Sequence, residues 1–224
     1  MKKKLVICGI FLSTALVIIV FYITFNKKVI DTSYKEYYKQ VKNTTAEYND
    51  MFKIYKASDY DDGNLLGIRV NHKHEYVSEN RDDLVVQYEY SKIIAELAES
   101  NKDKIKIPEE ISITFIEDGP RNSSGQDINF SIKLVEDKYK VHSIVVGNNY
   151  YKFRDLEGLA HTDINYIEYW GRDVYSVTEY EFLSGFKNLA EIYIGSYSEG
   201  DDKSSNIREQ IHAIVPDLNV VFNK

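Results

Sequence analysis

From Leu5 to Phe25 the chain runs 21 residues without a charge, and beyond Lys28 its apolar positions recur in periods. At about 1.5 Å of rise per residue, a helix of that length matches the roughly 30 Å hydrocarbon core of a bilayer. A cleaved signal peptide has a shorter apolar region ending at a small-x-small site, and bulky Phe21, Tyr22, Ile23 and Phe25 fill that place here. The pattern predicts an uncleaved, single-pass signal-anchor at 5–25 behind a cytoplasmic tail at 1–4. Lys2, Lys3 and Lys4 precede the run and Lys27 and Lys28 follow it, a slight inward bias. A short basic tail opposite a long C-terminal part sets the expected topology in the cell membrane as N-terminus inside and C-terminal domain extracellular. Cys8 lies within the run and follows Ile7, which is not the small residue a lipid-attachment site wants, so it reads as an apolar residue of the span.

Residues 29–57 read as a juxtamembrane helical segment. Asp31, Thr32 and Ser33 are candidate N-caps. Tyr34, Val41, Tyr48 and Tyr55 recur every seven residues, with Tyr38, Thr45 and Phe52 four further on. Three heptads are the least that suggest a coiled-coil stalk. The core positions here are tyrosine and threonine, and Asn43-Thr44-Thr45 weakens any helix, so amphipathic helix packed on the domain itself is the favoured form.

Residues 58–140 read as a small α+β segment. Leu65 to Val70 suits a strand. Ser78 to Asn80 can cap a helix with Asp82 and Asp83 in its first turn, and Val86, Tyr90, Ile93, Ile94 and Leu97 give it an apolar stripe. Lys102 to Lys106 and Pro108 end it. Ile111, Ile113 and Phe115, then Ile128, Phe130, Ile132 and Leu134, alternate strictly, which predicts an antiparallel pair around the polar 119–125 loop. Asp59, Asp61, Asp62 and Gly63 resemble the start of a calcium loop, but its glycine and glutamate positions fall out of register, and an acidic turn accounts for them.

Residues 141–224 carry a repeat. Val141-x-x-Ile144-x-Val146, Ile164-x-x-Ile167-x-Tyr169 and Leu189-x-x-Ile192-x-Ile194 share one frame, and Leu218-x-x-Val221 is a truncated fourth. The intervals are 23, 25 and 29 residues. Between frames, Phe153, Leu156 and Leu159, then Val174, Val177, Tyr180, Leu183 and Phe186, are spaced by three, and Ile207, Ile211 and Ile214 have helical spacing. This segment resembles a short, degenerate leucine-rich-repeat array. The resemblance implies short parallel strands feeding one core, with the α+β segment as their N-terminal cap. Of the asparagines such turns normally carry, only Asn149 is present; Arg172 and Tyr197 stand at the other two places. A four-strand arrangement without true repeats is the alternative. The fold class expected is therefore α+β, comprising the anchor, the juxtamembrane helix and the α+β segment capping a parallel strand array.

The resemblance also implies a concave face made by side chains between frame positions: Asn165, Tyr166, Glu168 and Trp170 in one strand, Glu191 and Tyr193 in the next. Aromatic residues with a polar tip suit protein interfaces. Trp170, the single tryptophan, reads either as an exposed anchor or as a cap on the repeat core.

With the five N-terminal lysines set aside, 23 basic residues face 35 acidic ones, which argues against nucleic acid or anionic lipid as partner. No cysteine lies beyond Cys8, so there is no disulfide framework and no thiol chemistry in the remainder. This composition resembles that of low-GC Gram-positive bacterial surface proteins. His72-x-His74 offers two ligands, short of a metal site, and His142, His161 and His212 are scattered. No nucleophile elbow, phosphate-cradling glycine loop or zinc-protease helix occurs. Glu109-Glu110 and Asp201-Asp202 read as solvated surface. The expectation is a membrane-anchored, non-enzymatic protein-interaction module, without cofactor or metal and with a protein partner. An extracytoplasmic small-molecule or cell-wall-glycan binder is the alternative, and an enzyme with a paired-carboxylate site is a third reading.

Overall fold

A computed structural model describes residues 36–48, 51–60, 65–72, 83–105, 107–117, 128–147, 151–176 and 180–224 of the chain. The first described element is a helix, α1, over 36–44, which buries Tyr37 and Val41 one turn apart and ends at Thr45. A 3-10 turn at Ala46–Tyr48 leads into strand β1, Phe52–Tyr60. The heptad register across 34–55 therefore does not continue as helix. The Thr45 hydroxyl bonds back to the Val41 carbonyl at 2.8 Å, the local competition that makes threonine a poor helix interior.

β1 pairs antiparallel with β2, Leu65–His72. Helix α2, Asp83–Asn101, then crosses over so that β3, Glu110–Glu117, lies parallel to β2. β3 and β4, Ile128–Val135, form the expected antiparallel pair, with Ile111 opposite Ile132, Ile113 opposite Phe130 and Phe115 opposite Ile128. A two-residue turn takes β4 into β5, Lys138–Val146, with Glu136 and Asp137 at φ of 50° and 61°. Those positive angles belong to the turn that best matches strand twist. β6, Tyr166–Tyr169, β7, Glu191–Ser198, and β8, Asn219–Asn223, follow in parallel. Extended 3-10 segments make the first two crossovers and helix α3, Asp202–Ile214, makes the third.

Among the described residues all eight strands belong to one sheet, in chain order from β1 to β8. This corrects the expected fold class: the architecture is α/β-type with one mixed sheet, not an α+β segment capping a separate array. The reason lies in β5, which bonds antiparallel to β4 along one edge and parallel to β6 along the other, so the sheet passes through position 141 unbroken.

The membrane expectation is corrected as well. Among the described residues no helix is long and apolar enough to cross a membrane. The segment 5–25, on which the anchor, its orientation and the extracellular placement rested, lies outside the described residues, as do His74, Asp61, Asp62, Gly63 and the 119–125 loop.

One core runs along the helix-covered side of the sheet. In β5 to β8 it takes a row of Ile144, Ile167, Ile192 and Val220 and a second row of Val146, Tyr169, Ile194 and Phe222. Toward β1 it holds an aromatic cluster, with Phe115 at 5.2 Å from Phe52, 5.7 Å from Tyr90 and 6.0 Å from Phe130 between ring centres. These are edge-to-face contacts, the arrangement favoured by ring quadrupoles. A bulge in β5 sets His142 out of register, so Val141 and Ile144 both turn inward although they are three apart. That bulge is the physical origin of the x-x spacing in the first frame.

Candidate functional site

On the opposite side of β5 to β8 the same pleat turns the intervening residues outward. One row reads Ser143, Tyr166, Glu191, Asn219; the next reads Val145, Glu168, Tyr193, Val221. Apart from buried Ser143, these residues are half-buried or exposed, whereas the inner rows are buried. Trp170 follows β6 directly and is 39% exposed, one of the two large hydrophobic residues so exposed among those described.

Tyr166, Glu168, Trp170, Glu191 and Tyr193 thus share one face across two neighbouring strands. The Trp170 indole N–H donates to Glu168 Oε1 at 2.6 Å, and the Tyr166 hydroxyl donates to Glu168 Oε2 at 3.3 Å. The Trp170 ring meets Tyr193 edge-on with 5.7 Å between centres. One strand further, the Asn219 amide donates to Glu191 Oε2 at 2.6 Å. The Tyr193 hydroxyl lies 3.4 Å from Asn223 Oδ1, a weak contact. Burial and then the neighbouring Glu168 carboxylate push the Tyr166 phenol up to about 12.

Asn165 stands apart from this set. Its side chain donates to the Asn188 carbonyl at 2.8 Å and its main-chain oxygen accepts from Ala190 at 2.9 Å, so it ties the turn before β6 to the turn before β7. Arg172 and Tyr197, which stand where the resemblance implied asparagines, meet each other: the Tyr197 hydroxyl donates to the Arg172 carbonyl at 2.5 Å.

Sequence reasoning missed Asn219, Val145 and Val221 as members of the outer face. Spacing placed Val221 inside as a frame residue, but Val220 and Phe222 point inward and Val221 sits opposite Tyr193. The alternation of polar Asn219 and Asn223 around apolar Val220 and Phe222 was the available signal. Gly195 was also missed. It lies beneath the Trp170 ring, where a β-carbon would come within 2.5 Å of Cε3. With Gly147, Arg172 and Ser196 these two residues line an open depression of about 640 Å³ at the carboxyl ends of β5 to β7.

The acidic pairs are placed otherwise. Glu110 accepts from the Ser131 hydroxyl at 2.6 Å, and Asp201 caps α3 by accepting from the Lys203 N–H at 3.0 Å. Burial, and secondarily Lys133, lowers the pKa of His142 at the β5 bulge. Among the described residues no group of three or more His, Cys, Asp or Glu side chains is placed to hold a metal ion. No family model, no curated protein and no solved structure matches the chain.

Proposed function

We propose that this protein is a non-enzymatic protein-interaction module whose contact surface is the open face of β5 to β8, a short leucine-rich-repeat-like array. One observation carries the reading: Trp170, Tyr166 and Tyr193 are displayed together on a sheet face, already held in place by hydrogen bonds and ring contacts. Aromatic groups immobilised before binding lose little entropy on contact, the property of interface anchors. The two carboxylates of this face lie on adjacent strands of an open sheet and each accepts from a neutral donor, an arrangement suited to recognition.

The test is affinity capture from an extract of the source cells, using the full chain and the double variant Trp170→Ala/Tyr193→Ala. A partner retained by the parent and lost by a variant with unchanged circular dichroism supports the reading. A partner retained equally by both, or none retained at all, removes it. A second reading, a glycan binder, is favoured by the depression that Trp170 and Arg172 line, since sugars stack on indoles and bond to guanidinium groups. Saturable binding of cell-wall glycans, lost on Trp170→Ala, would select it instead.

A further inference from the structure

The outer face of β6 to β8 carries negative charge that no basic side chain among the described residues neutralises. Glu168 and Glu191 sit on neighbouring strands, Glu168 opposite Tyr193 and Glu191 opposite Tyr166. Both are half-buried, and their hydrogen-bond partners are an indole, a phenol and an amide, all uncharged. Among the described residues neither has a Lys or Arg within ion-pairing distance, although carboxylates elsewhere on the chain do: Glu199 pairs with Arg208 at 2.7 Å and Glu99 with Lys102 at 2.9 Å. Partly desolvating a carboxylate without an opposite charge costs free energy that neutral donors offset only in part. Burial first, and then the neighbouring Glu168 and Glu191 carboxylates, push the pKa of the Tyr166 phenol up.

Three aromatic rings surround these carboxylates, and an indole or phenol face attracts cations as well. Resting on the interaction-module reading above, we infer that the partner presents a basic segment, with Lys or Arg side chains entering between Glu168 and Glu191 and covering the rings of Tyr166, Tyr193 and Trp170. Charge complementarity of this kind raises association rates and excludes acidic partners. Arg172, beyond the carboxyl end of β6, marks one limit of the acidic area and orients such a segment away from itself.

The experiment uses the full chain and two labelled peptides, octalysine and octaglutamate, followed by fluorescence anisotropy at low salt. Glu168→Gln/Glu191→Gln is compared with Asp103→Asn/Glu209→Gln, which changes net charge equally at exposed positions away from this face. The first pair should weaken octalysine binding at least tenfold and the second less than twofold. Octaglutamate should not bind, and octalysine should protect Trp170 from acrylamide quenching. Equal weakening by the two pairs, no binding of octalysine to the parent, or unprotected Trp170 would each overturn the inference. A captured partner lost with Trp170→Ala/Tyr193→Ala but kept by Glu168→Gln/Glu191→Gln leaves the interaction face standing and removes the basic partner alone.

Discussion

The indole of Trp170 lies across Gly195 of the neighbouring strand, filling the space that a side chain there would occupy. The Ser196 hydroxyl donates to the Trp170 carbonyl beside it, so backbone and ring of Trp170 are both tied to β7. The pose of the most exposed aromatic residue on the face is therefore set by an absence of atoms at 195.

Gly195→Ala should displace the ring without unfolding the protein. The crowded atoms belong to a side chain with open space beside it, so the expected cost is about 1 kcal/mol, at the small end of the range for overpacking. The emission of this single tryptophan should shift to longer wavelength and capture of the partner should weaken, while the circular dichroism spectrum stays the same. An unshifted emission maximum would mean that Gly195 does not set the pose.

Tyr169→Phe tests a buried polar junction. The Tyr169 hydroxyl stands 2.7 Å from the Tyr151 carbonyl and also meets the Asp173 carboxylate, which in turn accepts the Phe153 N–H at 2.8 Å. The hydroxyl has a single proton, so its removal deprives one of these two acceptors of its donor, for an expected loss of about 1–3 kcal/mol. Urea denaturation should show a lower midpoint at unchanged slope, whereas an unaltered midpoint would show the junction to be energetically idle.

Arg208 guards the last strand. Its guanidinium donates to the Val220 carbonyl at 3.2 Å, pairs with Glu199 and stacks 5.0 Å from the Phe222 ring centre, and the His212 ring meets the Leu218 carbonyl at 2.9 Å. Exposed strand edges recruit other strands unless they are blocked. Arg208→Ala should raise the sedimentation-detected dimer fraction with concentration and lower stability by about 1–2 kcal/mol. A strictly monomeric variant would count against the guard.

Alkaline pH provides a fourth check. Tyr90, Tyr166 and Tyr180 are each pushed up to about 12, in every case mainly by burial, above the usual tyrosine value of 10.0. Between those values the folded chain holds protons that the unfolded chain releases, so stability falls as pH rises. The contribution is intact below pH 10 and lost progressively toward 12. Absorbance at about 295 nm, where phenolate absorbs, should show a delayed fraction of tyrosine ionisation that appears together with unfolding. Full ionisation near pH 10 with the fold intact would contradict the burial of these rings.

The legible parts of the sequence were those where period and environment agree. Ile111, Ile113 and Phe115 alternate because one side of their strand is apolar and the other polar, and they pair as the pattern implies. Ile144, Ile167 and Ile192 align across β5 to β7. Helix α2 was located, but its buried side only in part: Tyr90 and Ile94 of the expected stripe are buried and Val86, Ile93 and Leu97 half-buried, while Leu84, Gln87, Ser91, Ala95 and Ala98, outside that stripe, are enclosed as well. That helix packs on the sheet and on the Phe153–Leu159 segment, and Ile94 accepts from Tyr37 of α1, so no single apolar stripe describes it. β1 was hidden because lysines interrupt Phe52-Lys53-Ile54-Tyr55-Lys56, and an edge strand tolerates such polarity. Of the six residues that the leucine-rich-repeat resemblance implied for the candidate face, five share it, and Asn165 instead ties two turns together. Asn219 was lost with the one-residue shift in β8, which follows α3 through a short turn at 215–218 instead of a frame residue three positions ahead.

The order of strands has a consequence for how the molecule is made. Because each strand lies beside its predecessor in the chain, a polypeptide emerging from the ribosome meets its partner edge already in place. Assembly can proceed by accretion, with β8 and its guarding helix added onto the edge that β7 presents. Truncation from the C-terminus should therefore shorten the molecule one layer at a time, exposing a fresh sticky rim at each cut and leaving the earlier layers in register.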